Sequence, residues 1–173
     1  MRNAICSVAL IALMSGGAIA AHKNSAKAEL KDAQGKIVGN AQLKEVGHGV
    51  QVAVQVNGLP AGTHAFHIHS VGQCEAPKFE SAGKHFNPEN KKHGLKNPEG
   101  PHAGDLPNVV VGSNGKGKAK VVNTHFTLGD GENSVFHTGG TAIVIHEKAD
   151  DEKTDPAGNA GARIACGVIE KAP

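Results

Sequence analysis

The sequence predicts an all-β domain, a sandwich or barrel. Three observations carry this. Short segments of alternating character recur from Ala26 onward, separated by Gly-rich turns, the pattern of antiparallel strands and hairpins. No stretch carries a convincing amphipathic helical period. With no Trp, no Tyr and five Phe, the core must come from Val, Ile, Leu and Ala. Branched aliphatics suit strands, and so few aromatics leave little for a large aromatic-lined pocket.

Residues 1–20 stand outside the domain, which is expected to run over 21–173. Arg2 gives a positive start, an apolar run follows, and Ala18-Ile19-Ala20 is a small-residue cleavage pattern. Together they read as a secretory signal peptide. The run is too short to span a bilayer, and Cys6 precedes most of it, so it is not a lipid-anchored first mature residue. Cleavage removes Arg2 and leaves 17 basic against 16 acidic residues. The lysines are spread along the chain. This balance argues against nucleic acid as the main partner, and no other stretch is apolar enough to cross a membrane.

Residues 21–25 are a polar start. Strands are then expected at 26–32, 36–46 and 49–57, with turns at Asp32-Ala33-Gln34-Gly35 and Gly47-His48-Gly49. Gln51 to Val56 alternates in the manner of a half-buried strand. A strand at 65–70 is followed by a Gly- and Pro-rich loop over 71–108. So long an irregular stretch in a compact domain is expected only where it carries function. Strands resume at 109–112, 117–127 and 141–146, with Ser113-Asn114-Gly115 as a hairpin turn. A second functional loop covers 147–163, and the last strand 164–170.

The chemistry is concentrated in seven residues: His67, His69, His85, His93, His102, Asp105 and His146. Zinc sites take about four ligands from Cys, His and carboxylates, and imidazole also suits copper. Seven candidates therefore point to two ions close together, sharing a ligand. In a strand, His67 and His69 fall on one side and Ile68 on the other. His102-Ala103-Gly104-Asp105 suits a tight turn that bends an imidazole and a carboxylate toward one centre. Cys74 and Cys166 remain after cleavage; in an exported chain such a pair reads as a disulfide, against a weaker alternative of two thiolate metal ligands.

His64-Ala65-Phe66-His67-Ile68-His69, Ser81 to Pro88, Gly100 to Pro107, Ile145 to Asp151 and Gly158 to Ile169 resemble, in order, the motifs of the copper–zinc superoxide dismutases of the bacterial secreted type. The resemblance covers nearly all of the chain after the first twenty-odd residues. It implies a flattened eight-stranded Greek-key barrel with two long functional loops. It implies copper on His67, His69, His85 and His146, and zinc on His85, His93, His102 and Asp105, with His85 as the bridge. Asp150 is implied as the outer carboxylate joining the two sites through His69 and His93. Cys74 and Cys166 become a disulfide tying the loop before His85 to the strand after Arg163. Arg163 is implied as the anion-docking residue over copper. His22, His48, His64, His125 and His137 fall outside ligand positions, with His64 bracing the loops.

The activity so implied is dismutation of superoxide to oxygen and hydrogen peroxide, with His85 taking up and returning a proton. The compartment is periplasmic or otherwise secreted, and a homodimer is expected. Two departures from the family stand out. The 147–163 loop is shorter than in the animal enzymes and lacks their charged guidance segment, and Ala157 replaces the usual rim hydroxyl. Two other functions are weighed. A copper/zinc buffer would be favoured by the loss of a copper ligand or of the arginine, and His67, His69, His85, His146 and Arg163 are all present. A zinc hydrolase needs a free general base, which the motifs do not offer.

Overall fold

Alternation decides which residues form the strands. The computed structural model describes residues 24–173; the expected signal peptide lies outside them. β1 (Ser25–Asp32), β2 (Ile37–Val46) and β3 (Gly49–Asn57) turn Ala28, Leu30, Leu43, Val52 and Val54 inward, and lysine and amide side chains outward. β4 (Gly62–His64), β5 (Phe66–His69), β6 (Val109–Val111), β7 (Lys116–Asn123), β8 (Ala142–His146), β9 (Arg163–Val168) and β10 (Glu170–Lys171) complete the set. The only helix described is a short 3-10 turn, Glu80–Ala82.

All strand pairs are antiparallel, in the order β4-β6-β7-β3-β2-β1-β9-β8-β5, with β10 also on β1. The two ends of this path, β4 and β5, are joined in the chain by Ala65 alone. The sheet must therefore curl until its ends nearly meet, giving a barrel. Eight strands were expected and ten are described: a short strand, β4, precedes the segment expected at 65–70, and the last expected strand, 164–170, is interrupted at Ile169 into β9 and β10. Ala65 separates β4 from β5. β4 pairs with β6 and β5 with β8, and between them the Ala65 amide donates to Lys148 while its carbonyl accepts from His146.

The main core is aliphatic, from Leu30, Leu43, Val52, Val54, Ile68, Leu106, Ile143 and Ile145, with Phe66, Phe86 and Phe126. A smaller cluster lies outside it: Phe79, Ala82, Ala142, Val144 and Cys166, with Cys74 against it. Cys74 and Cys166 form the expected disulfide. No helix among the described residues is long and apolar enough to cross a membrane.

Candidate metal centre

Ile68 points into the core, so its neighbours His67 and His69 are sent to the opposite side, beneath the loops; all three are buried. Two loop segments are brought there by a ring of main-chain hydrogen bonds. Ile68 N–H donates to Gly104 (2.9 Å), Phe86 N–H to Ile68 (2.8 Å), and Gly104 N–H to Phe86 (2.8 Å). Each member adjoins or nearly adjoins a candidate ligand: His67 and His69, His85, and His102 with Asp105. Gly104 is required for this approach, since a Cβ there would run into the Ile68 carbonyl. His146 arrives at the end of β8, where the register shifts against β9.

Four ring nitrogens in this centre are buried without a hydrogen-bond partner: Nδ1 of His67 and Nε2 of His69, His85 and His146. Leaving one such group unpaired costs about 1–3 kcal/mol. One ligand atom from each of these histidines lies within 4.8 Å of the others. The opposite nitrogens explain why these ones face inward. His67 Nε2 is 2.8 Å from Asp150 Oδ2, His69 Nδ1 is 2.9 Å from the Gly83 carbonyl, and His146 Nδ1 is 3.3 Å from the Gly161 carbonyl. A ring that donates outward presents a bare lone pair inward. This set offers imidazole nitrogens only, a chemistry that copper accepts.

His85, His93, His102 and Asp105 form a second set, all buried. Asp105 Oδ1 lies 3.0 Å from His85 Nδ1, 3.0 Å from His93 Nδ1 and 3.4 Å from His102 Nδ1. The two nitrogens of His85 and His102 are 3.4 Å apart. A tetrahedral zinc with ligands at 2.0–2.1 Å has donor separations of about 3.3 Å, so three imidazoles and a carboxylate at these distances fit that ion. Asp105 Oδ2 is turned away, accepting the amides of Gly94 (2.8 Å) and His102 (2.9 Å). His85 alone belongs to both sets.

Burial and charge act in opposite senses on these groups. Burial would raise Asp105, but hydrogen bonds from His102, His85 and His93 hold it well below the usual carboxylate range. Burial lowers His85 to about 4 despite Asp105, and lowers His146 to about 3, helped by His67. His69 is likewise held well below its ordinary value by burial and His85. His93 is the exception. Burial opposes its charge, but Asp105 and Asp150 outweigh burial and raise it to about 9.

Asp150 joins the two sets, but through a different histidine from the one expected. Its Oδ2 meets His67 Nε2 and its Oδ1 meets His93 Nε2 at 3.0 Å, whereas His69 is occupied by the Gly83 carbonyl. The difference lies in ring orientation: His67 presents Nδ1 inward and so turns Nε2 outward to Asp150. Asp150 is fixed by a reciprocal pair with Asn108, 2.7 and 3.0 Å. Gly158 lies against it at φ +62, where a Cβ would strike the carboxylate. Asn108 had no signal in the sequence beyond its place in a loop, whereas Gly158 opens the last of the segments that carry the family resemblance.

Arg163 opens β9 half-buried, its guanidinium bound to the carbonyls of Phe79 and Gly83, 2.6 Å each. Gly83 thus serves both Arg163 and His69. His64 is buried and spans two carbonyls, His146 at 2.9 Å and Pro60 at 2.9 Å, in keeping with a bracing role. His137 stacks on Phe86 and joins neither set; nor do His48 and His125. His22 lies outside the described residues.

Comparison with known proteins agrees with this geometry. Residues 33–169 match the family described as copper/zinc superoxide dismutase (SODC). The chain is 54% identical over 146 residues to the copper–zinc superoxide dismutase 2 of Aquifex aeolicus (strain VF5), covering 83% of this chain and 85% of that one. It is 44% identical over 144 residues to the superoxide dismutase-like protein YojM of Bacillus subtilis (strain 168), covering 82% and 74%. A solved double mutant of a SOD-like protein from Bacillus subtilis superposes with a TM-score of 0.79 at 45% identity, covering 82% of this chain and 95% of that chain. A match across most of the barrel and both loops, on a chain that gathers two such ligand sets around one shared histidine, makes this protein a member of the copper/zinc superoxide dismutase family.

Proposed function

We propose that the chain dismutes superoxide, with copper on His67, His69, His85 and His146 and zinc on His85, His93, His102 and Asp105. The observation that carries the reading is the set of four partnerless buried nitrogens beside a complete tetrahedral set. A metal buffer would need only the ligands. Here a guanidinium is also present, fixed by two carbonyls and tied through Gly83 to a copper ligand. That favours catalysis over storage, even though relatives named only as SOD-like share the fold.

Copper, when bound, supplies a one-electron couple that can oxidise one superoxide to oxygen and reduce a second, with two protons, to hydrogen peroxide. The chain's own residues do the rest. Arg163 attracts and orients the anion; its charge is permanent and its donors are planar. His85 Nε2 is the atom at which a proton is held and handed on, because its other nitrogen faces the zinc set. Asp150 keeps His67 and His93 in register. The disulfide suits an oxidising compartment, which supports export.

Superoxide consumption by protein loaded with both metals, against the metal-free form, tests the activity; no consumption by the loaded protein would leave a metal buffer as the reading. His146→Ala should deplete copper selectively and Asp105→Ala zinc selectively, measured by metal content after dialysis. Loss of the same ion from both variants would contradict the division.

A further inference from the structure

Asp155 lies in the loop after β8 and belongs to neither ligand set. Its Oδ1 accepts the main-chain N–H of His93 at 2.7 Å and lies 3.8 Å from Nε2 of His102. Its Oδ2 is 3.8 Å from Lys92 Nζ. Among the described residues it is the only carboxylate within 4.0 Å of that His102 nitrogen. The other parts of the zinc set are already backed. Asp150 holds Nε2 of His93, two amides hold Oδ2 of Asp105, and His85 is the bridge. His102 is the ligand whose far nitrogen has no other carboxylate.

We propose that Asp155 is a second outer carboxylate, acting on zinc alone: it fixes the main chain of His93 by a hydrogen bond and sets its negative charge opposite Nε2 of His102, at a separation longer than a hydrogen bond. The inference rests on the zinc set proposed above. A histidine that binds metal through Nδ1 carries its proton on Nε2. A carboxylate facing that proton, here by charge and not by a hydrogen bond, favours this tautomer and makes the ring a better ligand. Asp150 is buried and touches a histidine of each set, so it serves both metals. Asp155 is 41% exposed at its side chain and, of the proposed ligands, faces only His93 and His102 of the zinc set. Solvent screens an exposed charge, so its effect belongs at the low end of the 10–100-fold seen for outer partners.

The test uses the full chain loaded with both metals, following zinc release into a chromophoric chelator and copper content in parallel. Asp155→Ala should release zinc about tenfold faster with copper retained. Asp155→Asn keeps an acceptor for the His93 amide but loses the charge facing His102, so it should fall between Ala and the parent. With cobalt in place of zinc, both variants should alter the visible ligand-field bands. Parent-like zinc release from either variant would overturn the role of Asp155 alone, as would equal acceleration of copper loss, which signals general loosening. A parent that takes up no zinc would overturn the ligand reading and this proposal with it.

Discussion

At the scale of single residues, imidazoles and carboxylates carry their chemistry in their identity, so the candidate ligands that the fold gathers were legible before any fold was known. Ring orientation was not. His67 and His69 share one side of β5, yet one presents Nδ1 inward and the other Nε2. That difference is set by Asp150 and by the Gly83 carbonyl, each more than a dozen residues away in sequence. Strand alternation cannot encode it, which is why Asp150 was expected on His69. The sequence did mark Arg163, but not the carbonyls of Phe79 and Gly83 that aim it. Arg163→Ala should leave both metals bound but lower the superoxide rate and weaken inhibition by small anions such as azide. Arg163→Lys keeps the charge but cannot span two carbonyls with a planar fork, so it should fall between. Arg163→Glu should be worst, because it places repulsion over the substrate path. Equal rates for all four proteins at low ionic strength, where charges are least screened, would make Arg163 purely structural.

At the scale of elements, strands with one buried face were read almost to the residue, because a period of two is unambiguous there. The 49–57 strand is β3, unchanged. The errors fall where a side chain or a change of partner ends the ladder. The strand expected at 117–127 is β7, ending at Asn123. Its amide turns to the carbonyls of Ala103 and Asp105, so the residue braces the zinc loop instead of extending the sheet. The loop over 71–84 shows how an irregular element gains order. Phe79 and Ala82 pack with Ala142, Val144 and Cys166, and Cys74 is bonded to Cys166, three residues beyond Arg163. The disulfide and this small cluster therefore fix the two carbonyls that hold the arginine. Replacing Cys74 and Cys166 by Ser should cost about 2–5 kcal/mol of stability, as native disulfides commonly do. It should also lower the rate without emptying either metal set. Thermal unfolding and metal analysis of the same samples check both halves; an unchanged rate would separate the disulfide from the arginine.

At the scale of the whole molecule, the loops bury against the barrel a group of titratable side chains whose affinities for protons are displaced in opposite directions. In the metal-free protein two opposite pH dependences should meet. An unfolded histidine titrates near 6.5. Burial holds His85 at about 4 and His146 at about 3, and His69 also lies well below its ordinary value. Between those values and 6.5 the unfolded chain binds more protons, so stability rises with pH across that window and is lost as pH falls through it. Asp105 and Asp150 are also held below the usual carboxylate range. Their contribution is present above about 3.9 and disappears below it, steepening the acid side. His93 has the reverse sign. Its carboxylate partners raise it to about 9, so the folded form binds the extra proton between 6.5 and 9, and stability falls as pH rises through that range. The metal-free protein should therefore be most stable near pH 6.5, with a decline on each side. Metal ions take the place of protons on these nitrogens, and their binding releases protons. The loaded protein should accordingly lose the alkaline decline, because His93 then carries zinc in place of a proton. Denaturant midpoints of both forms from pH 4 to pH 9.5 test this. A metal-free midpoint that climbs steadily from 6.5 to 9 would mean that His93 is not held charged between Asp105 and Asp150, and the electrostatic account of the zinc set would fail at its centre.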